Sequence, residues 1–254
     1  MSQTLETSTG GGLATVRLSR AHGNAINLDL VDELTATFRK LDADADVRGV
    51  QLAAAGKLFS PGLDLQELIE LDRPTMEIFL QRFNACILSL YTFSKPLIAA
   101  IHGHAVAGGC VLTLTADWRV LQHERMIGLN EVRVGVPFPY GVAMILRESV
   151  PQRHLEEIAL YGRNYRGEEA VQVGLVHEVH PAEGFEGHCA SRLESLASKD
   201  AAAFAITKRY LRAPTVERIM ADEARLASDF LDRWYSKSTR AKVQAIVDEL
   251  KGGG

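Results

Sequence analysis

Residues 96–122 read PLIAAIHGHAVAGGCVLTLTADWRVLQ, and this stretch decides the fold. Pro96 to Ile101 is a short apolar run that reads as a buried strand, with its proline confined to the first position, where no ladder donor is needed. The glycine-bearing loop HGHAVAGG follows, then a helix over about 109–116 and a second strand, WRVLQ. Strand, glycine-bearing loop and helix in this order suggest stacked strand–helix units rather than a single barrel.

The same order recurs upstream. Leu13 to Leu18 reads as a strand after a Gly-rich start. Residues 29–41 set Leu30, Leu34, Phe38 and Leu41 on one helical face. Val47 to Ala53 is the next strand, residues 56–63 (GKLFSPGL) form a turn-rich loop, and Met76 to Tyr91 reads as a helix. The chain is therefore α/β, built of stacked strand–helix units with no short-period sequence repeat. Beyond Pro151 only LVHEV reads as a strand. Helices are predicted over 183–198, 200–212, 215–233 and 237–250, with a boundary near residue 197 that separates an Ala-rich helical segment.

Bulk properties narrow the function classes. The 254 residues are 46% hydrophobic and 24% charged, enough for a large core without metals or disulfides. A net charge of −4 argues against a general nucleic-acid binder, which needs clustered Lys and Arg. Cys86, Cys110 and Cys189 form no CxxC pair, so they read as free thiols of a reducing cytoplasm and not as a zinc site. Neither a signal peptide nor a membrane-length apolar run is present.

Three segments carry candidate chemistry. FSPGLDL (59–65) and AVAGGCVLTL (105–114) are glycine loops that run into helices. Backbone N–H groups at a helix start lack intrahelical acceptors, and two aimed at one point would hold an oxyanion. Gly62, Gly108 and Gly109 would equally serve tight turns and close packing. In the third segment, MIGLNEVRVGVPFPYG, Glu131 lies among Leu129, Val132 and Val134. Desolvation there would raise its pKa and suit it to proton transfer, whereas a solvent-facing or capping carboxylate would stay acidic. His102 and His104 read as hydrogen-bonded scaffolding, Asp64 as a helix cap, Asp117 as a turn residue, and Phe138 and Tyr140 as wall or packing.

NAINLDLVDEL (24–34), FSPGLDLQEL, KPLIAAIHGHAVAGGC, TADWRV, IGLNEVRVGVPFP and GEEAVQVGLVHEV together resemble the crotonase (enoyl-CoA hydratase/isomerase) superfamily, from about residue 13 to beyond 210. The resemblance implies a spiral of strand–strand–helix units over 1–197 and a helical trimerisation region over 198–254. It implies an oxyanion hole made by the N–H groups of Leu63, which follows Gly62, and of Gly108. Losing one such donor costs ~3–4 kcal/mol of transition-state stabilisation. Hydratases of the family resemble GGCE where this chain has GGCV, so Val111 stands in place of a water-holding glutamate, while the second family glutamate matches Glu131. The wording is most similar to mitochondrial-type delta-3,delta-2-enoyl-CoA isomerases.

The implied activity is movement of a 3-enoyl double bond to the trans-2 position, in beta-oxidation. A 2-enoyl-CoA hydratase and a non-catalytic acyl-CoA-binding relative are the alternatives. The resemblance sets Asn24 and Ala25 along the adenine and pantetheine, makes Lys57 a phosphate-side contact, and leaves room for Lys208 or Arg209 of a neighbouring subunit. Coenzyme A is part of the substrate, and no separate cofactor or metal is expected. The expected assembly is a homotrimer or dimer of trimers in the cytoplasm, with neither nucleic acid nor membrane as partner.

Overall fold

A computed structural model describes residues 4–252. The first three residues and the last two, on which the reading of the termini partly rests, lie outside the described residues. The chain opens with β1 (Leu5–Gly10) and β2 (Leu13–Leu18), followed by the short turn α1 (Ala21–Asn24) and α2 (Leu28–Ala43). Next come β3 (Gly49–Ala54), β4 (Leu58–Ser60), α3 (Leu65–Leu68) and α4 (Arg73–Tyr91). The pattern returns with β5 (Leu97–Ile101), β6 (His104–Val106) and α5 (Gly108–Leu114). It returns again with β7 (Trp118–Gln122), β8 (Met126–Gly128), α6 (Glu131–Val134), α7 (Tyr140–Ser149) and α8 (Gln152–Tyr161). β9 (Asn164–Arg166), α9 (Gly167–Gln172) and β10 (Glu178–His180) precede three terminal helices. These are α10 (Phe185–Ala197), α11 (Ala201–Trp234) and α12 (Lys237–Gly252).

Six strands form one sheet in the order β1-β2-β3-β5-β7-β10, and four form another in the order β4-β6-β8-β9. β3, β5 and β7 are parallel neighbours in the first sheet, and β4, β6 and β8 are parallel neighbours in the second. Each turn of the chain thus gives one strand to each sheet and then a helix, which is the strand–strand–helix spiral. The segments that leave β4, β6 and β8 consequently stack side by side at one end of the small sheet.

Local chemistry explains the elements. β3 and β5 are buried along their whole length, as parallel strands covered on both faces must be. Asn27 caps α2 by accepting from Leu30 N at 3.1 Å, and the face carrying Leu30, Leu34, Phe38 and Leu41 packs inward. Asp72 caps α4 through Thr75 N at 2.9 Å, with Pro74 in the first turn where its missing N–H costs nothing.

Four sequence expectations are corrected. The Gly-rich start carries β1, a polar edge strand paired in register with β2, and only its Leu5 is buried. The two glycine loops contain the short strands β4 and β6. The strand expected at LVHEV (175–179) is short and shifted, covering Glu178–His180. The helices expected over 200–212 and 215–233 are a single helix that runs through Pro214. A proline removes one donor from a helix, and here packing on both sides outweighs that loss.

Part of that packing is ionic. Asp117 accepts from Leu97 N at 2.8 Å, Lys208 Nζ at 2.7 Å and Arg212 Nη2 at 2.7 Å. Arg212 also donates to Thr115 O at 3.0 Å, and Lys208 to Lys95 O at 3.0 Å. Lys208, expected to be available to a neighbouring subunit's ligand, is therefore buried against Asp117, and burial lowers its pKa to about 8 despite that partner. Removing the carboxylate leaves two largely buried cations uncompensated. Asp117→Ala is expected to cost ~3–5 kcal/mol, read as a lower urea midpoint at unchanged m-value.

The terminal helices share one hydrophobic cluster with the spiral, since Ile219, Phe230, Leu231, Trp234, Val243 and Val247 pack in the same core as Val16, Leu30 and Leu97.

Candidate active site

The stacked segments after β4, β6 and β8 meet at a cavity of about 500 Å³. Ala25, Leu63, Gly108, Val111 and Glu131 all line it. The two glycine loops touch. Gly62 has φ +98°, and a Cβ there would lie 2.9 Å from Gly108 N and 3.2 Å from Val106 O. A Cβ on Gly108 would lie 3.5 Å from Leu63 N. Gly62 therefore requires glycine for close approach, while at Gly108 a Cβ would be in tight contact with Ile26 Cδ1 at 3.0 Å and Gly62 Cα at 3.3 Å.

The N–H directions follow from the neighbours. Ile26 N donates to Gly62 O at 2.8 Å and Asp64 N to Ile26 O at 2.9 Å, which is a parallel bridge centred on Leu63. In that pattern the N–H of Leu63 points away from Ile26. Gly108 is the first residue of α5, and the first helical bond to Ala107 O comes only from Val111 N at 3.0 Å. The Gly108 N–H is thus free of helical acceptors. Ala107, just before it, has φ 51° and ψ −125°, a conformation that side-chain-bearing residues rarely adopt. Such strain persists only where the surroundings enforce it. Here Ala107 N is tied to Gly128 O at 2.9 Å.

Glu131 begins α6 at the cavity wall. Its Oε2 is buried and has no hydrogen-bond partner among the described residues. Burial raises its pKa from 4.5 to about 7, opposed only by backbone N–H groups of Glu131 and Asn130. The buried Oε2 accords with the desolvation expected there, and no cation pairs with it among the described residues. A second carboxylate, Asp64, also lines the cavity. It is committed, as expected, to capping α3 through Gln66 N and Glu67 N at 3.2 Å each, and in addition it accepts from Arg20 at 2.8 Å. Val111 presents only methyl groups. Among the described residues the wall thus offers one carboxyl without a partner for its Oε2, together with Leu63 and Gly108, whose N–H groups respectively point away from Ile26 and lack a helical acceptor.

The remaining candidates fall elsewhere. Asn24 is buried behind the wall, its Nδ2 donating to Ala55 O at 3.0 Å and Leu58 O at 3.1 Å. Lys57 is exposed and off the cavity wall, and Arg209 is exposed on α11. His102 Nε2 meets Gly56 O at 2.9 Å, and His104 Nδ1 accepts from Met126 N at 2.9 Å, so both serve the scaffold. Pro137 and Pro139 line the cavity in place of Phe138 and Tyr140. Sequence reasoning missed the distal wall, made by Leu80, Phe83, Phe230, Trp234, Ile246 and Leu250. Helical periodicity marks these residues as inward-facing and does not distinguish a core from a cavity.

The chain is similar in sequence and in fold to known proteins. A family model described as enoyl-CoA hydratase/isomerase matches residues 8–249. Human mitochondrial enoyl-CoA delta isomerase 1 is 28% identical over 250 residues, covering 97% of this chain and 83% of that protein. A probable enoyl-CoA hydratase of Mycobacterium tuberculosis is 32% identical over 173 residues, covering 68% of this chain and 66% of its own. The crystal structure of human mitochondrial delta3-delta2-enoyl-CoA isomerase superposes with a TM-score of 0.94 at 27% identity, covering 99% of each chain.

Proposed function

Because the chain belongs to the enoyl-CoA hydratase/isomerase family, we propose that its reaction is the isomerase one, carrying a 3-enoyl-CoA to the trans-2-enoyl-CoA in the beta-oxidation of unsaturated acyl chains. The observation that carries this reading is that, among the described residues, Glu131 is the one uncommitted carboxyl lining the cavity. Adding water across a double bond calls for a water held between an acid and a base. Val111 lines the cavity, and by the resemblance of GGCV to the GGCE of hydratases it stands where a second glutamate would hold that water. An allylic shift needs one group only. Glu131 takes a proton from C2, the electrons move into a dienolate, and the thioester oxygen is held by the N–H groups of Leu63 and Gly108. The same carboxyl then returns the proton at C4, leaving the double bond between C2 and C3.

Coenzyme A enters as part of the substrate, with Ala25 on the cavity wall and Gly62 shaping the loop behind it, while Asn24 acts only as buried support for that loop and Lys57 is an exposed cation away from the wall. Residues 198–254 are proposed to carry a trimer contact. Ile206, Tyr210, Leu211 and Met220 are apolar and exposed along α11, which supports this. Three buried free thiols suit a reducing cytoplasm, and no helix among the described residues is long and apolar enough to cross a membrane.

Incubation with 3-hexenoyl-CoA and, separately, crotonyl-CoA tests the reading. Product from the first without a mass change supports it. Addition of water to the second at a comparable rate would mean that Val111 does not decide the chemistry, and the hydratase would be right. The pH profile is a second check. Glu131 must be ionised to act as base, so kcat/KM is expected to fall as pH drops through about 7 and to level off above it. A profile flat from pH 5 to 8 would contradict the assignment.

A further inference from the structure

We propose that Thr239 and Arg233, at the junction of α11 and α12, are positioning residues that fix Glu131 by gripping the far end of its helix. The proposal rests on the reading of Glu131 as proton carrier. α6 has four residues, none of them buried. So short a helix is unstable alone, and its sides are only partly buried, with Val134 against the core and Val132 and Arg133 beside Gly162 at the end of α8. Its ends therefore carry much of its positioning.

Upstream the chain is anchored by fully buried Leu129 and by the bond from Ala107 N to Gly128 O. Downstream, Gly135 closes the helix with φ +91°, donating to Glu131 O at 3.0 Å and Val132 O at 3.2 Å. Val136 N donates to Glu131 O as well, at 3.1 Å. The carbonyl of Gly135 then accepts from Thr239 Oγ1 at 2.9 Å and Arg233 Nε at 3.2 Å. Two consecutive hydrogen bonds thus join α12 to the backbone of Glu131.

Thr239 is fully buried, and its own N–H is fixed on Ser236 Oγ at 3.3 Å. A Cβ on Gly135 would stand 3.3 Å from Thr239 Oγ1, 3.7 Å from Lys242 Nζ and 3.8 Å from Arg233 Nη2. Three polar side chains of the terminal helices therefore close around one peptide. The same junction reaches the other half of the site, since Tyr235 OH donates to Leu71 O, just beyond α3, at 2.8 Å. One short turn thus references both the proton carrier and the segment that follows the first glycine loop. A reacting group displaced by about 1 Å can lose two orders of magnitude in rate.

The test uses Thr239→Val, Arg233→Gln and the double variant. Expected is a kcat lower by roughly tenfold in each single variant and by about a hundredfold in the double, with KM within about twofold. The acidic limb of the pH profile should move, because a loosened α6 changes the surroundings of the carboxyl. Thr239→Ser should restore both. Arg233 is exposed, so its variant carries the test even if Thr239→Val fails to fold. Wild-type kcat and pH profile in Arg233→Gln and in every folded Thr239 variant, with Glu131→Gln inactive, would overturn the clasp and leave the proton carrier standing. Loss of activity that only tracks lost thermal stability, without rescue by Ser, would reduce Thr239 to a structural role. Full activity in Glu131→Gln would overturn both readings.

Discussion

Glu131→Gln is expected to lower isomerisation of 3-hexenoyl-CoA by about 10⁴-fold, the upper end of what one acid–base group contributes. The upper end applies because in the proposed isomerase reaction one carboxyl serves both proton transfers, and the cavity offers no second uncommitted acid among the described residues. Gln keeps the shape and the hydrogen-bonding capacity of the side chain, so the loss falls on kcat. Binding of acyl-CoA, measured by titration of the inactive variant, should persist. Residual turnover within about tenfold of wild type would remove Glu131 from the mechanism.

The same variant carries an opposite signature in stability. The folded-state pKa of Glu131 is about 7, above its ordinary 4.5, so the folded protein favours the protonated form. Its contribution is fully present below pH 4.5 and is lost as pH rises through 7. At pH 8 the wild type holds a charged, buried oxygen without a partner among the described residues, and the variant holds none. The stability gained by Glu131→Gln should therefore grow from pH 5 to pH 8, in parallel with the loss of activity. An equal gain at both pH values would mean that the carboxyl is not desolvated.

The legibility of this molecule divides along a physical line. Glu131, Gly62 and Gly108 could be read because their chemistry is unusual for their surroundings: a carboxylate among aliphatics, and glycines where chain segments must touch. The strands β3 and β5 could be read because two-sided burial demands continuous apolar runs. β1 escaped notice because its sequence, LETSTG, buries only Leu5 and owes its form to pairing with β2. Pro214 misled because a local penalty was set against tertiary ties, such as Lys208 and Arg212 on Asp117, that no local window contains. The distal wall and the grip on Gly135 were invisible for the same reason. Phe230, Trp234, Ile246 and Thr239 lie more than ninety residues beyond Glu131, and only the folded chain brings them there.

Gly109→Ala is expected to damage both stability and turnover, although the change adds one methyl group to a helix. A Cβ at this position would stand 2.2 Å from Ser60 O and 2.9 Å from Ser60 C. Both atoms are backbone at the end of β4, and Ser60 is fully buried, so neither can swing aside. The strain can be relieved only by separating α5 from the loop after β4. That motion parts the N–H of Gly108 from the N–H of Leu63. Loss of one oxyanion donor costs 10²–10³ in kcat, and a loss of about that size is expected here. Overpacking should add ~1–3 kcal/mol of destabilisation, read from urea unfolding. Gly187→Ala is the matched control, since that glycine lies exposed in α10 with nothing within 4 Å of a Cβ. There the same substitution should stabilise by up to about 1 kcal/mol through helix propensity and leave turnover untouched. If Gly109→Ala unfolds at a lower urea concentration but isomerises at the wild-type rate, the convergence of the two loops is not what holds the oxyanion. If it loses turnover at 25 °C while still fully folded, the spacing of the loops is itself the catalytic device, and the glycine is required because no other residue permits it.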